Sequence, residues 1–271
     1  MRVVRPATID EWIRLASPFL VEHEAEHGIL LGAAMSTPSP KPEAYWGLVM
    51  DGERVVAAGL RTSERLIVSR EAVAGAIACL ATEAMSPATH AVLGPKAEAA
   101  AFVAATPHTW TRGMAQRVYE LRAVVTQPPS PGAHRLARPG DRDVLADWAC
   151  SFHDEATNEG FQRAAVERKN DHHIATGAFH VWEDKGRLVA CTVAVGATPN
   201  GIRINTVYTP PELRGRGYGG SLVAAVCQHL LDGGRKFVLL HADLDNPTSN
   251  RLYSRVGFRP VGDADDFSRV R

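Results

Sequence analysis

Arg214-Gly215-Arg216-Gly217-Tyr218-Gly219-Gly220 is the stretch on which the reading of this 271-residue chain turns. Before it, Ile202, Ile204, Thr206 and Val207 read as a strand, and Pro210-Pro211 stops its pairing. After it, Leu222, Val226 and Leu230, with Val223, Cys227 and Leu231, recur at helical spacing as a broad apolar stripe. Asp232-Gly233-Gly234 ends that helix, glycine being suited to a left-handed C-cap. A glycine-rich turn between a strand and a helix has a definite chemistry. Helix starts leave backbone N–H groups unpaired and carry a partial positive charge, so a pyrophosphate is their natural ligand. Glycines let the backbone approach a phosphate closely, and Arg214 and Arg216 can add charge-assisted bonds. A Walker A loop is excluded, because no Gly-Lys-Ser/Thr closes the turn. The dinucleotide fingerprint is excluded by its different glycine order, although Asp243 lies close to where its acidic residue would fall.

Outward from this turn the pattern stays α/β. Phe237 to Leu240 is a short continuous apolar run, as in a strand covered on both faces and paired in parallel through a crossover helix. A second helix is expected from about Pro247 to Val256, ended by Gly257, with Phe258 opening a last strand. Upstream, Asp141 is placed to cap a helix running through Glu155, whose apolar face is Val144, Leu145, Trp148 and Phe152. Phe179 to Trp182 and Leu188 to Val195 read as strands joined by the polar turn Glu183 to Arg187.

Two segments in order carry a resemblance. Arg214-x-x-Gly217-x-Gly219, preceded by Val207-Tyr208-Thr209-Pro210-Pro211-Glu212, resembles the acetyl-CoA signature of the GNAT superfamily of N-acetyltransferases. Asn246, Ser249, Tyr253 and Gly257-Phe258 resemble the second cofactor segment of that family. The likeness covers roughly residues 135–265. It implies a mixed α/β sheet in which the strand before the loop splays from the next one and the pantetheine arm fills the gap. Val207, Tyr208 and Thr209 would then offer backbone groups to pantetheine and the thioester carbonyl, and an N–H aimed at that oxygen would stabilise the tetrahedral oxyanion. Arg214, Gly215, Arg216, Gly217, Tyr218, Gly219 and Gly220 would hold the diphosphate. Asn246 and Ser249 would border the pantetheine arm. Tyr253 becomes the general acid for the departing thiolate, a thiol of pKa ~8.5 against a phenol of ~10.

The N-terminal half resembles a degenerate second copy. Arg5 to Gly28 and Arg135 to Gly160 share an Asp, a Trp-bearing helical pattern and a closing Glu-Ala before Gly. The turn and strand from Asp51 to Ala58 repeat from Asp184 to Cys191. Between the halves, Gln127-Pro128-Pro129-Ser130-Pro131-Gly132 has the composition of a semi-rigid linker. The chain is therefore divided into residues 1–127, a linker at 128–133, and an acetyl-CoA-binding unit at 134–271. The first half shows no Arg-x-x-Gly-x-Gly before its matching helix near Glu71 to Glu83. It is expected not to bind coenzyme and to serve as support and one wall of the acceptor cleft.

The general base is not evident. In many relatives a Glu stands where this chain has Asn205, which cannot usefully accept a proton. Asp154, Glu155 and His241 are the alternatives, alongside a water relay or an amine that arrives neutral. Asp171-His172-His173 on a loop offers no third ligand, so no metal is expected. His23, Glu24, Glu26 and His27 read as a solvated helix face.

Lys and Arg balance Asp and Glu at 30 each, so neither nucleic acid nor an acidic tail is indicated. Cys79, Cys150, Cys191 and Cys227 are far apart in apolar surroundings and read as reduced. No signal pattern or apolar run of roughly 18 residues is present. A cytoplasmic monomer or homodimer without a membrane partner is expected. The leading function is transfer of acetyl from acetyl-CoA to a primary amine of a small molecule or peptide. A non-catalytic CoA sensor and an enzyme using a longer acyl-CoA remain open.

Overall fold

The computed structural model describes residues 1–36, 44–125, 127–156 and 162–270. Gly160, which closes the second copy of the repeat, lies outside them. In chain order the elements are β1 (Arg2–Val4), α1 (Ile9–Leu20), α2 (Gly28–Met35), β2 (Tyr45–Asp51), β3 (Arg54–Arg61), β4 (Arg65–Val68), α3 (Ala76–Ala84), β5 (Ala91–Pro95), α4 (Lys96–Ala104) and β6 (Trp110–Leu121). The same order then repeats: β7 (Ala133–Leu136), α5 (Arg142–Ala156), α6 (Arg163–Ala175), β8 (Phe179–Asp184), β9 (Arg187–Val195), β10 (Gly201–Tyr208), α7 (Tyr218–Asp232), β11 (Phe237–Asp243), α8 (Pro247–Val256) and β12 (Arg259–Arg269).

All twelve strands form one mixed sheet in the order β1-β2-β3-β4-β5-β12-β6-β11-β10-β9-β8-β7. Most neighbours are antiparallel. The two parallel pairs, β4 with β5 and β10 with β11, occupy equivalent places in the two halves. Each is joined through a crossover helix, α3 or α7, as parallel strands require. Helices cover both faces. One face packs α3 and α4 on the first half and α7 and α8 on the second; the other packs α1 and α2, then α5 and α6.

At the centre the halves exchange strands. β6 pairs with β11 from Leu121↔Val238 to Gln116↔Asp243, and β12 pairs with β5 from Ala264↔Pro95 to Ser268↔Ala91. The sequence of β12 is polar for a central strand, and ion pairs answer its carboxylates. Arg117 meets Asp263 at 3.0 Å, Arg112 meets Asp265 at 2.7 Å and Arg65 meets Asp266 at 3.0 Å. The linker expected at 128–133 lies after β6 and runs into the start of β7. Because of the exchange, neither piece alone holds its complete set of paired strands.

Local chemistry accounts for the ends of the elements. Thr8 Oγ1 accepts from Glu11 N while Glu11 Oε2 accepts from Ala7 N, so the two residues close the start of α1. Asn246 caps α8 by accepting from Ser249 N at 3.0 Å, Pro247 takes the first helical position, and Gly257 ends the helix at φ 115°. Asp141 does not hold the following helix amides as expected. Its carboxylate is taken by Arg135 at 2.7 and 3.0 Å and by the amide of Arg138, and a short 3₁₀ turn precedes α5. His172 and His173 lie in α6 rather than on a loop, and Asp171 pairs with Arg142. Cys191 and Cys227 are buried, Cys79 and Cys150 partly so, and none is bonded to another.

The segment read as a solvated helix face is instead the join between halves. Glu24 is buried and accepts from Thr198 Oγ1 (2.5 Å), Asn200 N (2.7 Å), Asn200 Nδ2 (2.7 Å) and Gly201 N (3.2 Å). Burial alone would raise its pKa; these hydrogen bonds outweigh burial and hold it below the ordinary value. His27 is buried too, with Nδ1 2.8 Å from Leu20 O and Nε2 accepting from Arg70 N at 3.1 Å. That pair of partners requires the neutral ring with its proton on Nδ1. Beyond it, α2 presses on the second half so closely that a Cβ on Gly32 would sit 2.8 Å from Gly196 Cα.

Burial pushes the His27 pKa down from 6.5 to about 4. The unfolded chain therefore takes up this proton near pH 6.5 and the folded chain only near pH 4. Stability from His27 is complete above the first value and drains away as pH falls between the two. Urea unfolding at a series of pH values should show a His27→Gln variant with a shallower loss of stability across that window, by up to about 1.4 kcal/mol per pH unit. Parallel profiles for the two proteins would contradict this.

Candidate active site

β10 shapes the site. It pairs in parallel with β11 only from Gly201↔Phe237 to Arg203↔Leu239, after which the strands share no registered pairs. Against β9 its register shifts between Asn205 and Tyr208, where Thr206 takes φ 54°. A left-handed β-branched residue in a strand is rare and costs strain. The Thr206 hydroxyl bonds Asn205 Oδ1, and Thr192 Oγ1 donates to Asn205 O at 2.9 Å. The extra residue changes the strand's alternation. Asn205 faces α5 and α6, and Tyr208, three residues on, packs in the cluster of Leu145 and Phe179 on that same side. Val207 packs on the α7 side.

The Gly-rich turn lies beyond this bulge. Gly217 is the N-cap of α7 at φ 82°, and among the described residues no side chain caps the helix start. Open space surrounds the positions where Gly215 and Gly220 would carry a Cβ, while one on Gly219 would touch Thr209 Oγ1 at 3.2 Å. Tyr218 turns its ring back onto β8, its OH 2.9 Å from Asp184 Oδ2. Arg216 is exposed, and its Nη2 donates to Glu212 O. Arg214 is already engaged. Its Nε donates to Thr209 O at 2.8 Å and its Nη2 to both carboxylate oxygens of Glu155 at 2.9 and 2.7 Å. The Pro-rich linker passes beside the turn: Ser130 N donates to Ser221 Oγ and Ser130 Oγ to Arg216 O, each at 2.8 Å.

α8 brings Tyr253 onto the same face of the sheet as α7. The phenol is buried among Tyr119, Phe258 and Cys227, and burial pushes its pKa up, so it stays protonated through the neutral range. Asn246 and Ser249 are exposed or half-buried at the start of α8, bonded to one another.

On the other face, at the bulge, a pocket of about 140 Å³ opens. Its lining includes His153 of α5, Lys169 and His173 of α6, and Asn205 and Thr206. All lining residues fall between 149 and 206, so this pocket is walled by the second half alone. Lys169 and Asn170 escaped the sequence reading, and His173 was weighed there only as a metal ligand. Their signal was the spacing of Val166, Lys169, Asn170 and His173, one stripe of a helix, hidden by reading residues 171–173 as a loop. The proposed bases fare unequally. Glu155 is tied to Arg214 and lies 3.4 Å from the Tyr208 OH, and Asp154 is exposed. His241 has a buried Nδ1 without a partner, and burial with the charge of Arg203 pushes its pKa down to about 3, too weak a base at neutral pH.

The N-terminal half has the same cradle in altered form. Gly75 caps α3 at φ 86° and ψ −1°, nearly the values of Gly217. There, however, Glu71 Oε2 accepts from Ile77 N at 2.9 Å, placing a carboxylate where an anion would bind. β4 also pairs with β3 without a register shift, so no bulge opens beside it.

Residues 142–258 match the acetyltransferase (GNAT) family model. Over that segment the chain is similar to the GNAT acetyltransferases. Over 138 residues it is 25% identical to a mycothiol acetyltransferase of Corynebacterium aurimucosum, a match that covers 45% of either chain. The full length shares its fold with an acetyltransferase of the GNAT family from Colwellia psychrerythraea, at TM-score 0.61 and 10% identity over 100% of both chains. It likewise shares the fold of a tandem GNAT protein from the clavulanic acid biosynthesis pathway, at TM-score 0.58 and 16% identity over 99% of this chain and 98% of that one. Members of the family are acyltransferases that use acetyl-CoA. No group of three or more His, Cys, Asp or Glu side chains placed to hold a metal occurs among the described residues. No described helix is long and apolar enough to cross a membrane.

A side chain at Gly217 would face a left-handed φ and meet Ser130 Oγ at 2.6 Å. Gly217→Val should therefore weaken CoA binding by about tenfold or more, read as Kd by calorimetry on protein whose circular dichroism matches the parent. An unchanged Kd would remove this turn from the coenzyme site.

Proposed function

We propose that this chain transfers the acetyl group of acetyl-CoA to a primary amine of a small molecule or peptide by direct attack. The observation that carries the reading is the uncapped start of α7 set against the divergence of β10 from β11. The first feature suits the diphosphate through helix amides. The second leaves backbone groups of Val207, Tyr208 and Thr209 without strand partners on the β11 side, as an extended pantetheine arm needs. The amine nitrogen attacks the thioester carbon as the C–S bond breaks, and the nitrogen sheds its proton to solvent. Tyr253 supplies the proton taken up by sulfur. The N-terminal half is read as support, its equivalent helix start being occupied by Glu71. Four unpaired thiols fit a reducing, cytoplasmic setting.

Free-thiol release from acetyl-CoA in the presence of an amine panel tests the assignment. Coenzyme binding with no thiol released by any amine would make the chain a sensor rather than an enzyme. Calorimetry should give one coenzyme per chain; two would contradict the reading of the Glu71 half. Tyr253→Phe should leave the Kd for acetyl-CoA near that of the parent and lower kcat by about a hundredfold. An unaltered kcat would exclude Tyr253 as the acid.

A further inference from the structure

The first half braces α8, the helix that carries Tyr253, from one end to the other. Before the helix, Leu244 N donates to Ala115 O at 3.0 Å. At its last turn, Val125 N donates to Val256 O at 2.9 Å and Gln127 Nε2 to Arg255 O at 2.6 Å. Between these, Tyr119 of β6 reaches the middle of the helix. Its strand is one of those exchanged at the centre of the sheet, and Tyr119 lies opposite Leu240 of β11. Tyr119 is buried, and its hydroxyl donates to Asn250 Oδ1 at 2.9 Å. Asn250 Nδ2 donates at 2.8 Å to the carbonyl of Asp243, the last residue of β11, and at 2.8 Å to that of Asn246, the cap of α8. With both amide hydrogens committed to carbonyls, Asn250 has only its oxygen to offer the phenol, so its orientation is determined.

Asn250 stands one turn before Tyr253 on α8, so a bond that fixes the first steadies the second. The two tyrosine rings also meet directly, with centroids 6.2 Å apart and planes at 53°, and Phe258 meets Tyr253 at 5.8 Å. Tilted contacts of this kind favour one setting of a ring over others. Phenylalanine at position 119 would meet the needs of packing; the hydroxyl is what reaches α8. From this joint we infer that Tyr119 is a positioning residue for the general acid. It holds the turn of α8 that presents Tyr253 to the sulfur, so the first half supplies a working part of the second half's site. This rests on the acetyl-transfer reading with Tyr253 as proton donor. As the C–S bond breaks, the Tyr253 phenol passes its proton to sulfur and regains one from water. Such a transfer depends on placement, and a shift of about 1 Å can lower a rate by about a hundredfold. Tyr119, its hydroxyl committed to Asn250, acts through Tyr253.

The test is a double-mutant cycle in the full chain: Tyr119→Phe, Tyr253→Phe and the two together, each matched to the parent by circular dichroism. With acetyl-CoA and an accepted amine, Tyr119→Phe should lower kcat by about three- to tenfold, the range of one neutral hydrogen bond, while KM for acetyl-CoA stays put. In the Tyr253→Phe background the same change should cost nothing further. An unchanged kcat in Tyr119→Phe, a rise in KM for acetyl-CoA alone, or an equal loss with and without the Tyr253 hydroxyl would overturn the inference. If Tyr253→Phe turns over at the parent's rate, the acid assignment falls and the role of Tyr119 falls with it. A second readout separates the joint from the enzymatic assignment. If no amine releases thiol, NMR of the chain labelled with ¹³C at tyrosine Cζ still reads the placement, each resonance being assigned by a single Phe variant. Tyr119→Phe keeps the ring, so a moved Tyr253 resonance with Tyr45, Tyr208 and Tyr218 unmoved would uphold the joint while the transferase reading falls. An unmoved Tyr253 resonance would overturn the joint as well.

Discussion

The brevity of the β10–β11 pairing governs this molecule. Two parallel strands held for three residues and then released leave backbone polar groups facing a gap, and unpaired backbone needs a partner. Thr206 sets the geometry of the release. Its left-handed turn inserts a residue into β10, brings Asn205 and Tyr208 onto one face and directs Val207 to the other. The strain at that residue is held in place by Thr192 and Asn205 on one side and by α5 packed over Tyr208 on the other. The pocket lined by Asn205 and Thr206 opens at this irregularity, and the Gly-rich turn at the start of α7 lies beyond it.

Comparison of the halves gives that statement its control. The chain builds the same sequence of elements twice, and both crossover helices start at a glycine with the same left-handed conformation. What differs is chemical. In the first half a carboxylate from Glu71 has moved onto the helix start, and the neighbouring strand runs without a bulge. Where α7 starts without a side-chain cap, α3 starts under a carboxylate, and where β10 bulges, β4 runs in even register. The first half retains the packing role, reaching the second through Glu24 and through α2 on Gly196.

How much of this could be read from the residues follows from how local each feature is. The Gly-rich turn, the Asn246–Gly257 helix and the hairpin from Phe179 to Val195 are written in contiguous residues whose spacing has few other meanings, and they were legible. The environment of Glu24 was not. Glu-His-Glu-Ala-Glu-His looks solvated because all its partners that matter, Thr198, Asn200 and Arg70, are distant in sequence. Nothing in Asn205-Thr206-Val207 marks the middle residue as left-handed, since Thr ordinarily favours extended strand. The pocket at the bulge needed α5, α6 and β10 together before Lys169, His173 and Asn205 could be seen to line one space. The strand exchange was invisible for a different reason. β12 is too polar to announce a central strand, and a strand pattern names a face without naming the neighbour.

That exchange ties the order of assembly to the whole length of the chain. Until Arg259–Arg269 arrives, β5 presents an open edge, and β6 can find its place only beside β11, far ahead in sequence. Exposed edges invite pairing with another molecule, and contacts between remote segments form slowly. A chain of this architecture spends its early folding with its middle unzipped. The carboxylates of β12 keep that late strand soluble while it waits, and they become neutralised only once the arginines of β4 and β6 lie alongside.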